Sequence, residues 1–102
     1  MSVNLQTVIV TTTPYSMSTN DDVIFVNVTS GPSSIVLPAS GSDGSKKRSF
    51  YIKDYSGTSN LNPITITASG GKTINGVSFA MLNGNYSHIQ VVYDGTNWLT
   101  IS

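Results

Sequence analysis

The sequence contains no cysteine, no glutamate and a single histidine among its 102 residues. Without cysteine the chain forms no disulfide, offers no thiol nucleophile and supplies no thiolate to a metal ion. Zinc sites usually collect several nitrogen or sulfur ligands, and His88 alone does not meet that need. We therefore expect neither a metal nor any other cofactor.

Charged residues are also scarce, and neither sign is in excess. Five Lys plus Arg balance five acidic residues, so charged side chains make up 10% of the chain, whereas about 25% is typical of soluble domains. Nucleic acids and anionic membranes are captured by basic excess, so neither is an expected partner. The one basic cluster, Lys46-Lys47-Arg48, is interpreted as solvated charge, with a phosphate or sialic-acid contact as the alternative. No apolar run is long enough to cross a membrane, and no signal peptide follows Met1.

Strong helix formers are few, which favours β-structure. Ser, Thr and Asn together exceed a third of the chain. Apolar and polar residues alternate with a period of two, and turn residues interrupt the alternation about every 8–12 positions, which is typical of a sandwich or barrel. The sequence therefore predicts one all-β domain over residues 1–102, a β-sandwich or jelly-roll-like fold of about eight short antiparallel strands. Residues 1–13 are predicted to be an N-terminal arm or the first strand.

The clearest strand is predicted at residues 23–28, where apolar residues on both faces indicate a central position. A second strand, at residues 48–54, alternates between two faces. Its inward side is expected to hold Phe50, Ile52 and Asp54, and its outward side Ser49, Tyr51 and Lys53. Tight turns are predicted at Gly70-Gly71, Asn75-Gly76 and Asp94-Gly95.

The residue pattern does not indicate a catalytic site. A nucleophile needs a neighbouring base and a third group that orients this base, whereas His88 is the only imidazole. Four aspartates lie in or beside predicted turns, where a carboxylate caps backbone amides: Asp21, Asp22, Asp43 and Asp94. Calcium binding by Asp21-Asp22 or Asp43 is a weak alternative because no calcium-loop motif is present.

Aromatic side chains are the best candidates for contacts with other molecules. Exposed aromatic rings stack on sugars, and they also fill cores and subunit interfaces. The candidate interface or glycan contacts are Tyr51, Tyr55, Tyr86, His88 and Trp98.

Six segments resemble, in their order and spacing, the modules of bacteriophage tail fibres, head fibres and related virion proteins. They are residues 15–27 (YSMSTNDDVIFVN), 35–39 (IVLPA), 51–57 (YIKDYSG), 62–66 (NPITI), 72–76 (KTING) and 92–98 (VYDGTNW). Together they span about residues 7–101. Each segment is only a strand with a turn, so the resemblance rests on the complete series.

The resemblance implies a β-sandwich-like module that forms a homotrimer on the virion surface, beside capsid or tail proteins, and carries no catalytic motif. We therefore expect a structural protein of the head-decoration, fibre or knob type. The short stretch before the module favours a decoration or knob protein over a fibre tip. The first alternative is a receptor-binding domain that recognises host-surface carbohydrate. The second is a small polysaccharide-cleaving enzyme, which needs two facing carboxylates.

Overall fold

A computed structural model describes residues 6–18, 21–43, 46–47 and 49–101, with the backbone alone at residues 42–43 and 46–47. In these ranges the chain forms strands only, and no helix long and apolar enough to cross a membrane is found. The strands are β1 (Thr7–Val10), β2 (Tyr15–Ser16), β3 (Val23–Val26), β4 (Ser33–Leu37), β5 (Ser42–Asp43), β6 (Lys46–Lys47), β7 (Ser49–Asp54), β8 (Ile64–Ala68), β9 (Phe79–Leu82), β10 (His88–Tyr93) and β11 (Trp98–Thr100).

Nine of these strands form two sheets. Sheet 1 has the order β1-β3-β7-β10-β11, and sheet 2 has the order β2-β4-β8-β9, while β5 and β6 pair with each other. The chain alternates between the sheets, from β1 to β2, from β3 to β4 and from β7 to β8. Strands β1, β3 and β7 run parallel in sheet 1, and β2, β4 and β8 run parallel in sheet 2. Three two-strand turns therefore stack on one another as the rungs of a short solenoid.

The last three strands close this stack with antiparallel pairs. Strand β9 pairs with β8, β10 pairs with β7, and β11 pairs with β10. The predicted all-β class is confirmed, but the prediction of antiparallel strands is wrong for the three rungs. Alternation along a strand reports which face is buried, and it carries no information about the direction of the neighbouring strand. The repeat is also hidden by unequal spacing, since Thr7 pairs with Val23 and Val23 pairs with Tyr51.

The core lies between the sheets and is formed by the inward side chains of both. Its fully buried members include Ile24, Ile35, Leu37, Phe50, Ile52, Ile66, Val91 and Trp98. The Trp98 ring packs 5.4 Å from the Phe50 centroid and 5.1 Å from that of Tyr93, and its Nε1 donates a hydrogen bond to the Pro38 carbonyl at 3.2 Å. Because a Cβ at Gly41 would lie 2.7 Å from the Trp98 ring, this indole also holds the loop after β4 against the core.

Several local predictions are confirmed. Strand β3 lies inside sheet 1, as the apolar pattern of residues 23–28 indicates. Asn75 and Gly76 have φ angles of 55° and 80°, the left-handed geometry of a tight hairpin turn. Residues 7–10 form β1, while residues 1–5 lie outside the described residues, so the interpretation of residues 1–13 as an arm or first strand stays a prediction. Arg48 of the basic cluster lies outside them as well.

Candidate binding surface

The side chains that point outward from sheet 1 form a largely apolar surface that faces solvent. Inward residues of this sheet are buried or half-buried, and the residues between them point outward. The outward residues are Thr7, Ile9, Val23, Phe25, Ser49, Tyr51, Lys53, His88, Gln90, Val92 and Leu99, and Ile101 continues β11 through a hydrogen bond from its N–H to the Gln90 carbonyl. Exposure is 55% for Ile9, 39% for Tyr51, 45% for Leu99 and 54% for Ile101.

One row across this face combines aromatic and basic groups. Phe25 is the register neighbour of Lys53 on β7, and Lys53 is opposite His88 on β10. Tyr55 packs edge-on against Phe25, with 5.9 Å between ring centroids. The Lys53 Nζ donates a hydrogen bond to the Tyr86 carbonyl and lies 5.8 Å from the centre of that ring. We call these five residues the aromatic row.

Tyr86 is held in place although the residue is 61% exposed. Its φ angle is 60°, a conformation that is unfavourable for a side chain of this size. The ring covers Gly57, where a Cβ would lie 2.2 Å from the nearest ring atom. An exposed side chain fixed in this way does not contribute to the core, and such local strain is typical of functional surfaces.

A buried carboxylate, Asp54, fixes this end of the sheet. Asp54 is 1% exposed. Its oxygens accept hydrogen bonds from the Ser56 hydroxyl and the Gly57 N–H, both at 3.0 Å, and from the N–H groups of Ser59 at 3.0 Å and Tyr86 at 2.9 Å. Burial alone would raise the pKa of Asp54, but these hydrogen bonds, that of the Tyr86 N–H foremost, lower the pKa to about 2. Asp54 therefore stays ionised and joins the loop after β7 to the turn before β10.

The predicted contact residues separate into two groups. The structure brings Tyr51, Tyr55, Tyr86 and His88 to the outer face of sheet 1 and its end. Trp98, in contrast, is 0% exposed. We therefore correct its placement among the surface candidates: Trp98 pairs with Tyr93 in the register of β10 and β11, and both side chains point into the core.

Sequence reasoning missed the exposed aliphatic residues of the same face. Leu99 and Ile101 lie on the outward side of β11 and its extension, and Ile9 lies on the outward side of β1. The alternation of side chains along β11 could have predicted the exposure of Leu99, because an inward Trp98 places the next residue outward.

Three other aspartates, Asp21, Asp22 and Asp94, support the backbone, while the side chain of Asp43 lies outside the described part of the chain. The Asp21 carboxylate accepts hydrogen bonds from the Tyr15 hydroxyl at 2.9 Å and the Ser18 N–H at 3.2 Å. Burial and the contact with Asp21 raise the pKa of Tyr15. Asp22 accepts from the Gln6 N–H at 2.8 Å, and Asp94 accepts from two N–H groups of its own turn at 2.8 Å. No cluster of three potential metal ligands occurs in the described part of the chain.

The outer face of sheet 2 is more polar in its central strands. Ser34 and Val36 of β4 and Thr65 and Thr67 of β8 are outward and half-buried. The last strand differs, because Phe79 is 49% and Met81 43% exposed, and Val77 just before it is 56% exposed.

One known protein family matches almost the whole chain. The family described as bacteriophage T4 gp9/10-like protein, N-terminal, matches residues 4–98, from just before β1 to the first residue of β11. No curated protein matches the chain. The match confirms the predicted kinship with phage virion modules and the location on the virion. The chain belongs to the bacteriophage T4 gp9/10-like family and is a structural component of a phage particle.

Proposed function

We propose that this protein is a non-enzymatic structural module that assembles as a homotrimer on the phage particle, as a head decoration, fibre or knob protein. The main support for this proposal is the apolar character of the outer face of sheet 1. Apolar side chains occupy most of its outward positions, and Lys53 is the only Lys, Arg, Asp or Glu among those described. Contiguous apolar patches are rare on monomeric proteins unless they serve an interaction.

A second copy of the chain is the partner that fits this face. The chain has no net charge, so copies meet without electrostatic repulsion. A domain of this size buries a modest fraction of its surface on folding, and burial of a further apolar face between copies adds to its stability. Closed symmetric homo-oligomers are the usual form of such assemblies.

Light scattering coupled to size-exclusion chromatography tests this proposal. Leu99→Asp places a charge at an outward position of sheet 1, and we expect it to convert the trimer to a monomer. Ser16→Asp places the same charge on exposed Ser16 at the far edge of sheet 2, and we expect the trimer to remain. A wild-type monomer at micromolar concentration, or a folded Leu99→Asp variant that is still a trimer, would refute the role of this face.

The aromatic row supports a second candidate function, the recognition of host-surface carbohydrate. The Tyr86 ring is exposed yet fixed by Asp54, Lys53 and Gly57, and aromatic faces stack on sugar rings. A ring fixed in advance loses little entropy on binding.

Glycan arrays test this candidate with Tyr86→Ala as the variant and Ser16→Asp as the matched control. We expect binding by the wild type and the control, and at least a tenfold loss in Tyr86→Ala. Absence of glycan binding by the wild type, or equal binding by Tyr86→Ala, would remove this function and leave the structural one.

A further inference from the structure

Two Asn-Gly pairs lie on either side of β9, Asn75-Gly76 before it and Asn83-Gly84 after it. In such a pair the backbone nitrogen of the glycine can attack the side-chain amide of the asparagine, because glycine has no Cβ to hinder the approach. The surroundings of the two pairs differ. We infer that Asn83 is a site of spontaneous deamidation in this protein and that Asn75 is protected from the same reaction. The site is independent of the trimer proposed above.

Asn83 is open to the reaction on every side. It lies in the turn that joins β9 to β10, and both Asn83 and Gly84 are exposed. Within the described ranges, neither the Asn83 side chain nor the Gly84 N–H makes a hydrogen bond. Exposed backbone outside the strands moves at little cost in free energy. The side-chain amide is therefore free to turn toward the Gly84 nitrogen, and water reaches both groups.

Asn75 is held by three hydrogen bonds. Its Nδ2 donates to the Thr100 hydroxyl at 2.8 Å, and its Oδ1 accepts from the Thr100 N–H at 3.0 Å. Its own N–H donates to the Trp98 carbonyl at 3.0 Å. The side chain must leave both contacts with Thr100 before its Cγ can meet the Gly76 nitrogen, and this loss raises the barrier. We therefore expect deamidation at Asn75 to be at least about tenfold slower than at Asn83.

The reaction consumes only water. The Gly84 nitrogen bonds to the Asn83 Cγ, the bond from Cγ to Nδ2 breaks, and the side-chain nitrogen leaves as ammonia with the former Gly84 proton. The cyclic imide then takes up one water molecule at either of its two carbonyl groups. Opening at one carbonyl gives aspartate at position 83. Opening at the other gives isoaspartate, in which the main chain runs through the former side chain.

Both products alter the turn that carries Tyr86. The Gly84 carbonyl accepts a hydrogen bond from the Ser59 hydroxyl, and isoaspartate adds a methylene to the main chain just before this residue. Either product also places a negative charge in residues 73–87, which contain no charged residue. The Tyr86 N–H, two residues further along, donates to Asp54. Deamidation at this position therefore weakens the attachment of Tyr86 to the end of sheet 1.

Peptide mass spectrometry tests the site on the unmodified wild-type protein. The protein is incubated in mildly alkaline buffer, since hydroxide removes the proton from the attacking nitrogen, and fragment spectra of its peptides locate the change over time. We expect the reaction at Asn83 to be at least about tenfold faster than at Asn75. Equal rates at the two pairs, a faster reaction at Asn75, or no reaction at Asn83 would overturn the inference.

The variant Gly84→Ala tests the attacking group without disturbing the fold. A Cβ at Gly84 would lie 3.9 Å from its nearest neighbour, the Ser87 Cβ, which is ordinary van der Waals contact. The methyl group shields the nitrogen, so we expect the reaction at Asn83 to slow at least about tenfold and that at Asn75 to stay unchanged. Circular dichroism checks the fold. An unchanged rate at Asn83 in the folded variant would show that the Gly84 nitrogen does not attack.

Two further measurements test the protection of Asn75. Thr100→Val removes the hydroxyl that accepts from the Asn75 side chain, and we expect the rate at Asn75 to rise about fivefold while the rate at Asn83 serves as the internal standard. In concentrated urea both pairs lie in unfolded chain, and we expect them to react at similar rates. An unchanged rate at Asn75 in Thr100→Val, or a difference between the pairs that persists in urea, would contradict protection by the fold.

Discussion

The outer faces of the two sheets cover the same core but present different chemistry to solvent. The central outward positions of sheet 1 include Val23, Phe25 and Tyr51, whereas those of sheet 2 include Ser34 and Thr65. Both faces arise from the same alternation with a period of two. The alternation of apolar and polar residues therefore determines which side chains are buried. The residue types at the outward positions determine which face is suited to contact another molecule.

Sheet 1 also has a fixed aromatic side chain, Tyr86, at one end of its outer face. Asp54 and Gly57 hold Tyr86 over the end of the face through hydrogen bonds and close packing. Variants that remove the contacts of Tyr86, and variants that exchange outward residues between the sheets, test the difference between the two faces.

The largest effect is expected for Asp54→Ala. The variant removes four hydrogen bonds and leaves the buried Ser59 N–H without its acceptor. Hydrogen bonds to charged groups are worth roughly 1.5–3 kcal/mol each, and their losses at one site are not additive, so we expect unfolding free energy to fall by about 3 kcal/mol. Urea unfolding measures this change. A loss below about 1 kcal/mol would show that Asp54 does not organise this end of sheet 1.

The pH dependence of stability is expected to report the same carboxylate. Because the pKa of Asp54 is about 2 in the folded chain, below its ordinary value of 3.8, its stabilising effect is present above pH 4 and is lost as pH falls through 2. The linkage relation gives about 2 kcal/mol for this difference. Urea midpoints measured between pH 5 and pH 2 should fall more steeply for the wild type than for Asp54→Ala. Equal slopes would contradict the assignment.

A smaller effect is expected for Gly57→Ala, with Gly71→Ala as its matched control. The two glycines have φ angles of 75° and 72°, so the backbone cost of alanine, about 1 kcal/mol, is similar at both. Only at Gly57 does the new Cβ meet the Tyr86 ring. We expect Gly57→Ala to lower the unfolding free energy by about 1 kcal/mol more than the control. Equal losses would mean that Tyr86 is not held over Gly57.

The smallest effect on folding is expected from an exchange of residues between the faces. Val92→Ser makes an outward position of sheet 1 polar, and Ser34→Val makes an outward position of sheet 2 apolar. We expect Val92→Ser to raise the dissociation constant of the trimer about tenfold, equivalent to about 1.4 kcal/mol, and Ser34→Val to leave it unchanged. Dilution series followed by light scattering measure both. Weaker association in Ser34→Val but not in Val92→Ser would reverse the comparison.

Much of the strand content and facing could be predicted from the sequence. The alternation at residues 48–54 correctly places Phe50 and Ile52 inward and Tyr51 outward, because the pleat of a strand makes parity a local property. The turns at Asn75-Gly76 and Asp94-Gly95 follow from local chemistry in the same way.

The remaining features depend on contacts between distant segments. Parallel stacking of the rungs is invisible in the alternation, since a parallel and an antiparallel neighbour bury the same face. The fixing of Tyr86 depends on a hydrogen bond to Asp54, 32 residues away. Burial of Trp98 depends on packing against Phe50 and on a hydrogen bond to the carbonyl of Pro38, 60 residues away.

We propose that the outer face of sheet 1 is a contact between copies of this chain. Light scattering of the wild-type protein at micromolar concentration tests it most directly when Leu99→Asp is run beside it. We expect three times the chain mass of 10.8 kDa for the wild type and a single chain mass for the folded variant. A single chain mass for both proteins, or a trimer in both, would contradict it.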